Sequence, residues 1–110
     1  MEIRDIVVYQ HPNPEMKSFL MPVEICPPLV EHFSKPFTER SEKTFKELGT
    51  VGAQIVKEIM AVPGVKSLEI RPKEVRVKKE PHVSWEQIEK KVFRILKSFM
   101  RRKSFRLVKR

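Results

Sequence analysis

Apolar positions recur every three or four residues from Thr50 to Val62 and then every second residue as far as Lys79; this single change of period predicts a helix followed by two strands. Val51, Ile55, Ile59 and Val62 share one helical face, while Gln54, Lys57 and Glu58 occupy another. Pro63 and Gly64 end the helix, because proline cannot extend it and glycine accepts the backbone angles of a stop. Leu68 and Ile70, then Val75 and Val77, alternate with Glu69, Arg71, Arg76 and Lys78, as half-buried strands do. Arg71-Pro72-Lys73-Glu74 joins the strands with proline at the second position of a type I turn.

Upstream, Ile3 to Gln10 reads as a first strand with neighbours on both faces. His11-Pro12-Asn13-Pro14-Glu15 is a turn in which two prolines fix backbone angles and the Asn13 side chain bends the chain. Met16 to Leu20 then returns antiparallel with Phe19 inward. From Met21 to Gly49 the pattern fades, broken by Pro22, Pro27, Pro28 and Pro36. A brief extended segment at Val23 to Cys26 and a short helix at Thr38 to Leu48, stopped by Gly49, are expected within it. Downstream, Ser84-Trp85-Glu86-Gln87 forms a capping-box pattern. The helix it opens turns Trp85, Ile88, Val92, Ile95, Leu96 and Phe99 inward, and Glu86, Lys90, Lys91, Arg94 and Lys97 to water. Glu86 and Lys90 stand in the favoured order for an ion pair four residues apart.

The expected order is therefore β-β-α-β-β-α. This is an α+β fold, a two-layer α/β sandwich with a mainly antiparallel four-stranded sheet and two helices on one face. At 110 residues the chain makes one compact domain, able to bury roughly two-thirds of its unfolded surface. No run approaches the about 20 apolar residues of a membrane span, and the opening MEIRDIVVYQ lacks a signal-peptide layout, so the cytoplasm is the expected compartment. The formal charge is +9, but Arg101, Arg102, Lys103, Arg106, Lys109 and Arg110 supply six of those charges with no acid among them. Residues 1–100 thus read as the domain and 101–110 as a basic, mobile appendage.

Little catalytic chemistry is visible. His11, His32 and His82 have no ligand spacing with one another or with Cys26, the only cysteine, which can form neither an internal disulfide nor a thiolate cluster. Gly49, Gly52 and Gly64 match neither a phosphate loop nor a dinucleotide fingerprint. The expectation is a protein that is not an enzyme and holds no cofactor or metal.

Three pieces carry a family resemblance. His11-Pro12-Asn13-Pro14 precedes Lys17 and Phe19; Gly52-Ala53 leads through a helix to Val62-Pro63-Gly64-Val65; and Arg71 to Lys79 is followed by Trp85 and a long helix. In this order and spacing they resemble the N-terminal domain of Nfu/NifU-type iron–sulfur scaffold proteins, with His11 where that family's T-P-N-P opening has threonine. The resemblance covers about Val7 to Phe99 and implies the same β-β-α-β-β-α sandwich. The family's cluster-holding C-x-x-C belongs to a separate domain, so the resemblance implies no metal site here. It implies an accessory module that docks a scaffold or client in iron–sulfur cluster assembly without ligating iron.

The candidate partner-binding residues are His11, Pro12, Asn13, Pro14 and Lys17 in the turn, Arg76 and Lys78 on the outer side of their strand, and Arg101, Arg102 and Lys103 in the basic segment. The competing reading is a small nucleic-acid-binding protein using that segment and the helix face of Lys90, Lys91, Arg94 and Lys97. Self-association through a hairpin edge is a third.

Overall fold

The computed structural model describes residues 5–34 and 39–109, with the side chains of 5–34 and 43–100. The described elements are β1 (Val7–Gln10), β2 (Met16–Leu20), β3 (Glu31–Ser34), α1 (Glu39–Met60), β4 (Val65–Arg71), β5 (Glu74–Lys79) and α2 (Trp85–Lys109). The strands pair antiparallel throughout, in the order β1-β2-β5-β4-β3. Phe19, Leu68, Ile70, Val75 and Val77 form a buried cluster with Ile55 and Ile59 of α1 and Ile88, Val92 and Leu96 of α2. Both helices lie on that face. Leu68 opposes Val77, and Val75 opposes both Ile70 and Phe19, so apolar rows cross the central strands. A bulge between Val65 and Ser67 lets Val65 and Leu68, an odd number of residues apart, both be buried.

Among the described residues the sheet has five strands rather than the expected four. β3 lies inside the stretch read as irregular, and its sequence, Glu-His-Phe-Ser, offers one buried apolar residue, Phe33. One inward residue has no period to read. The strand forms because the edge of β4 supplies its partners, Phe33 opposing Leu68, and because Phe33 stacks on Phe45 of α1 with centroids 5.1 Å apart. Val23 to Cys26, by contrast, is not a strand. Instead the Met21 and Ile25 N–H groups each donate at 2.7 Å, to the Lys73 and Pro72 carbonyls, strapping this segment to the β4–β5 turn. No described residue other than glycine has positive φ, which fits the type I turn rather than a primed one.

The short helix expected to stop at Gly49 is the first half of α1. Thr38, its expected first residue, lies outside the described residues. Gly49 leaves the helical region, with φ 85° and ψ 172°, and the chain re-enters a helix at once, giving a bend rather than an end. β1 begins at Val7; Ile3 and Arg4 of the expected strand lie outside the described residues. Val7 is 58% and Tyr9 51% exposed, so only one face of β1 is covered, not both. At the start of α2, the Ser84 carbonyl accepts from the Gln87 N–H at 3.3 Å in place of the expected reciprocal side-chain cap. α2 then continues without a break to Lys109, so the backbone of 101–109 is helical. Arginine and lysine are good helix formers, and cations near a helix C-terminus are favoured by its dipole.

Candidate functional site

The His11–Lys17 turn is built by its own polar groups. Asn13 accepts from the Glu15 N–H on its side chain at 2.9 Å and from the Met16 N–H on its carbonyl at 3.0 Å, closing the reversal that its sequence predicts. The Gln10 side chain spans the turn, donating to the His11 carbonyl at 3.0 Å and the Met16 carbonyl at 3.1 Å. α2 holds the turn from the helix side. Trp85 Nε1–H donates to the Pro14 carbonyl at 2.8 Å, and Lys17 Nζ reaches Glu89 at 2.6 Å while lying 5.3 Å from the centre of the Trp85 ring. Farther along, Lys97 pairs with Asp5 at 3.0 Å, so α2 runs beside the β1–β2 edge. A groove of about 640 Å³ opens there, with Trp85 and Phe93 as its aromatic lining and Lys17, Lys90 and Arg94 around them.

On the opposite, uncovered face the same turn feeds a different network. Tyr9 meets the His11 ring edge-on at 4.9 Å, and His11 Nε2 lies 2.7 Å from Ser18 Oγ. The Ser18 hydroxyl spends its one proton on Glu74, at 2.6 Å, and Arg76 Nη2 donates to that same carboxylate oxygen at 3.3 Å. Ser18 can therefore only accept from His11, which fixes the histidine proton on Nε2. Burial pushes the Glu74 carboxyl up, but the Ser18 hydrogen bond and the Arg76 charge outweigh it and hold the group below the usual carboxylate range. Arg76 Nε is buried without a hydrogen-bond partner.

The candidate residues thus divide between two faces. Pro14 and Lys17 join Trp85 and Glu89 on the helix side; His11 and Arg76 are linked through Ser18 and Glu74 on the open face. Pro12 and Asn13 are exposed at the tip between them. Lys78 lies two residues beyond Arg76, on the same side, and lines a shallow cavity of about 410 Å³ with His32 and Ser67. The side chains of Arg101, Arg102 and Lys103 lie outside the described residues. Sequence reasoning missed Ser18, Glu74, Glu89 and Phe93. Ser18 and Glu74 were within reach, since period-2 alternation with Phe19 and Val75 inward turns both outward. The pairing of Lys17 with Glu89, 72 residues away, has no local signature.

A histidine, a serine and a glutamate in one chain suggest a nucleophilic triad, but the order here is His–Ser–Glu, with serine in the middle. Ser18 is only 1% exposed, and the histidine nitrogen facing it already carries the proton a base would have to accept. The arrangement ties strands together and does not activate an oxygen. The Cys26 thiol is pushed up by burial and then by the Glu24 charge, away from thiolate. Among the described residues no three His, Cys, Asp or Glu side chains are placed to share a metal ion, and no described helix is long and apolar enough to cross a membrane.

The described elements define a small α+β domain, an antiparallel sheet backed on one face by two helices. Residues 6–103 match the family described as scaffold protein Nfu/NifU N terminal, and the chain belongs to that family. Membership implies a role in iron–sulfur cluster assembly, and scaffold proteins of this family are generally non-enzymatic. The fold is similar to the crystal structure of protein SAV1430 from Staphylococcus aureus, at 20% identity and a TM-score of 0.61, covering 84% of this chain and 98% of that one. It is also similar to the solution structure of a NifU-like protein from Saccharomyces cerevisiae, at 20% identity and a TM-score of 0.60, covering 86% and 76%. No curated protein matches the sequence.

Proposed function

We propose that the chain is a non-catalytic partner-binding module of iron–sulfur cluster assembly, docking a scaffold or a client without ligating iron itself. The observation that carries this reading is the state of its one thiol. Cys26 is half-buried and its pKa is raised, whereas an iron–sulfur cluster is ordinarily held by four thiolates. Family membership supplies the assembly context. The partner-facing residues are those of the turn, with Lys17 on the helix side and His11, Arg76 and Lys78 on the open face. Arg101, Arg102 and Lys103 extend the basic character of α2 in sequence.

Anaerobic reconstitution with iron and sulfide tests the reading. The expected product is a colourless monomer that binds an iron–sulfur scaffold or client in a pull-down with purified components. A stable visible absorption band that disappears in Cys26→Ser would overturn it. Nucleic acid as the partner draws no support from the family or from the fold.

A further inference from the structure

We propose that the flank of α2 between Trp85 and Arg94 is a docking groove for an acidic protein segment carrying one apolar anchor side chain. This rests on the partner-binding reading for the partner's being a protein; the groove's chemistry stands on the geometry. Concavities of about 640 and about 630 Å³ lie along the helix, and Glu86, Lys90 and Arg94 line both. Trp85 and Phe93 form the apolar part of the first, each half-buried. The Trp85 ring is fixed before anything binds, because its Nε1–H is held by the Pro14 carbonyl at 2.8 Å. An anchor side chain entering there would not have to order it.

The charges around this floor fall into two sets. Lys17 is neutralised by Glu89 at 2.6 Å and Lys97 by Asp5 at 3.0 Å. Lys90, Lys91 and Arg94 have no ion pair among the described residues, and Glu86 and Lys90 do not close the pair that their spacing allows. Three uncommitted cations beside a half-buried aromatic floor, on a helix continuing through Arg101, Arg102, Lys103, Arg106 and Lys109 without an acid, complement an anionic occupant. Glu86 and Glu89 decide which kind. A phosphodiester backbone tracking this flank would meet two carboxylates among the cations, whereas a peptide can place acids at Lys90, Lys91 and Arg94 and an apolar side chain on Trp85 and Phe93.

Trp85 is the only tryptophan in the chain, so its emission reports on the groove directly. The probe is a synthetic peptide of mixed Asp and Glu with one central leucine, titrated into the full chain. Saturable change in Trp85 emission is expected, with affinity falling as salt rises and dropping at least about tenfold in the Lys90→Glu/Arg94→Glu double variant. Both positions are exposed, and an unchanged circular dichroism spectrum verifies the fold. Equal binding of the peptide with its acids replaced by Gln and Asn, or undiminished binding by the double variant, would overturn the proposal. Tighter binding of a single-stranded oligonucleotide at the same site would assign the groove to nucleic acid instead. The functional reading fails separately: if purified assembly proteins bind neither form while the peptide still binds, that reading falls and the groove stands. If they bind both forms equally, the groove falls.

Discussion

Two neighbouring residues, Ser18 and Phe19, are 1% and 0% exposed, yet they are buried on opposite faces of the sheet for opposite reasons. Phe19 points into the helix-covered layer, against Val75 and Val8 on the flanking strands. Ser18 points to the uncovered face, where the Glu74 carboxylate and the His11 ring cover it. The covered face is held by apolar area, which has no dependence on protonation; the open face is held by a charged hydrogen-bond network, which does. The fold therefore draws its apolar stabilisation from one side of the central strands and leaves the other side to polar groups.

The sharpest way to break this comparison is at Phe19. Phe19→Ala removes the largest fully buried side chain among the described residues and leaves a cavity that rigid strands cannot close, at a loss of about 3–5 kcal/mol. Urea unfolding measures it; a loss below about 1 kcal/mol would mean that the covered face does not dominate stability.

Gly64 gives the next largest effect, at the point where α1 hands over to β4 beneath α2. Its φ of 97° suits glycine, and a Cβ built there would lie 2.7 Å from Val83 Cγ1 and 3.2 Å from Ile88 Cδ1. Gly64→Ala meets strain and a clash together and is expected to cost roughly 2 kcal/mol. Thermal unfolding tests it, and a neutral result would show that the Val83 segment yields freely.

On the open face, Ser18→Ala is expected to cost about 1–2 kcal/mol, less than Phe19→Ala although the residues are equally buried, because it strips Glu74 of a donor without opening a large cavity. This face also sets a pH dependence. The folded-state pKa of Glu74 lies below its unfolded value, so its ionised form favours the folded chain. That contribution is present above the unfolded carboxylate pKa of about 4.3 and is lost as pH falls through the folded value. Asp5, lowered by its hydrogen bond to Lys97, acts in the same direction. Unfolding midpoints compared between about pH 6 and pH 3 should fall less for Glu74→Gln than for the parent chain, and equal slopes would remove Glu74 from the acid limb.

What was legible in the sequence follows the same division. The covered face was readable because Leu68, Ile70, Val75 and Val77 on strands, and Ile55, Ile59, Ile88 and Val92 on helices, repeat at the periods of their elements. β3 was not, since Phe33 alone faces inward and the strand is defined by what it pairs with. The candidate turn was found as a turn, and Asn13 does bend it, but its division between two faces was hidden. Lys17 and His11 are six residues apart in sequence and serve opposite sides, one through Glu89 and the other through Ser18 and Glu74. Alternation shows which side a strand residue takes; which distant carboxylate waits there depends on tertiary packing.

The smallest expected effect on stability carries the most about recognition. Glu89 is partly exposed, at 35%, and its pair with Lys17 is surface-like, so Glu89→Gln should change unfolding by about 0–1 kcal/mol. Its effect in the groove should run the other way. Removing the carboxylate leaves Lys17 uncommitted beside Trp85 and adds one positive charge to a lining that already holds Lys90 and Arg94. Affinity for the acidic peptide should then rise about three- to tenfold at low salt and return toward the parent value as ions screen it. A variant less stable than this range, or one that binds the peptide more weakly, would show that Glu89 shapes the turn through Lys17 instead of limiting the charge of the groove.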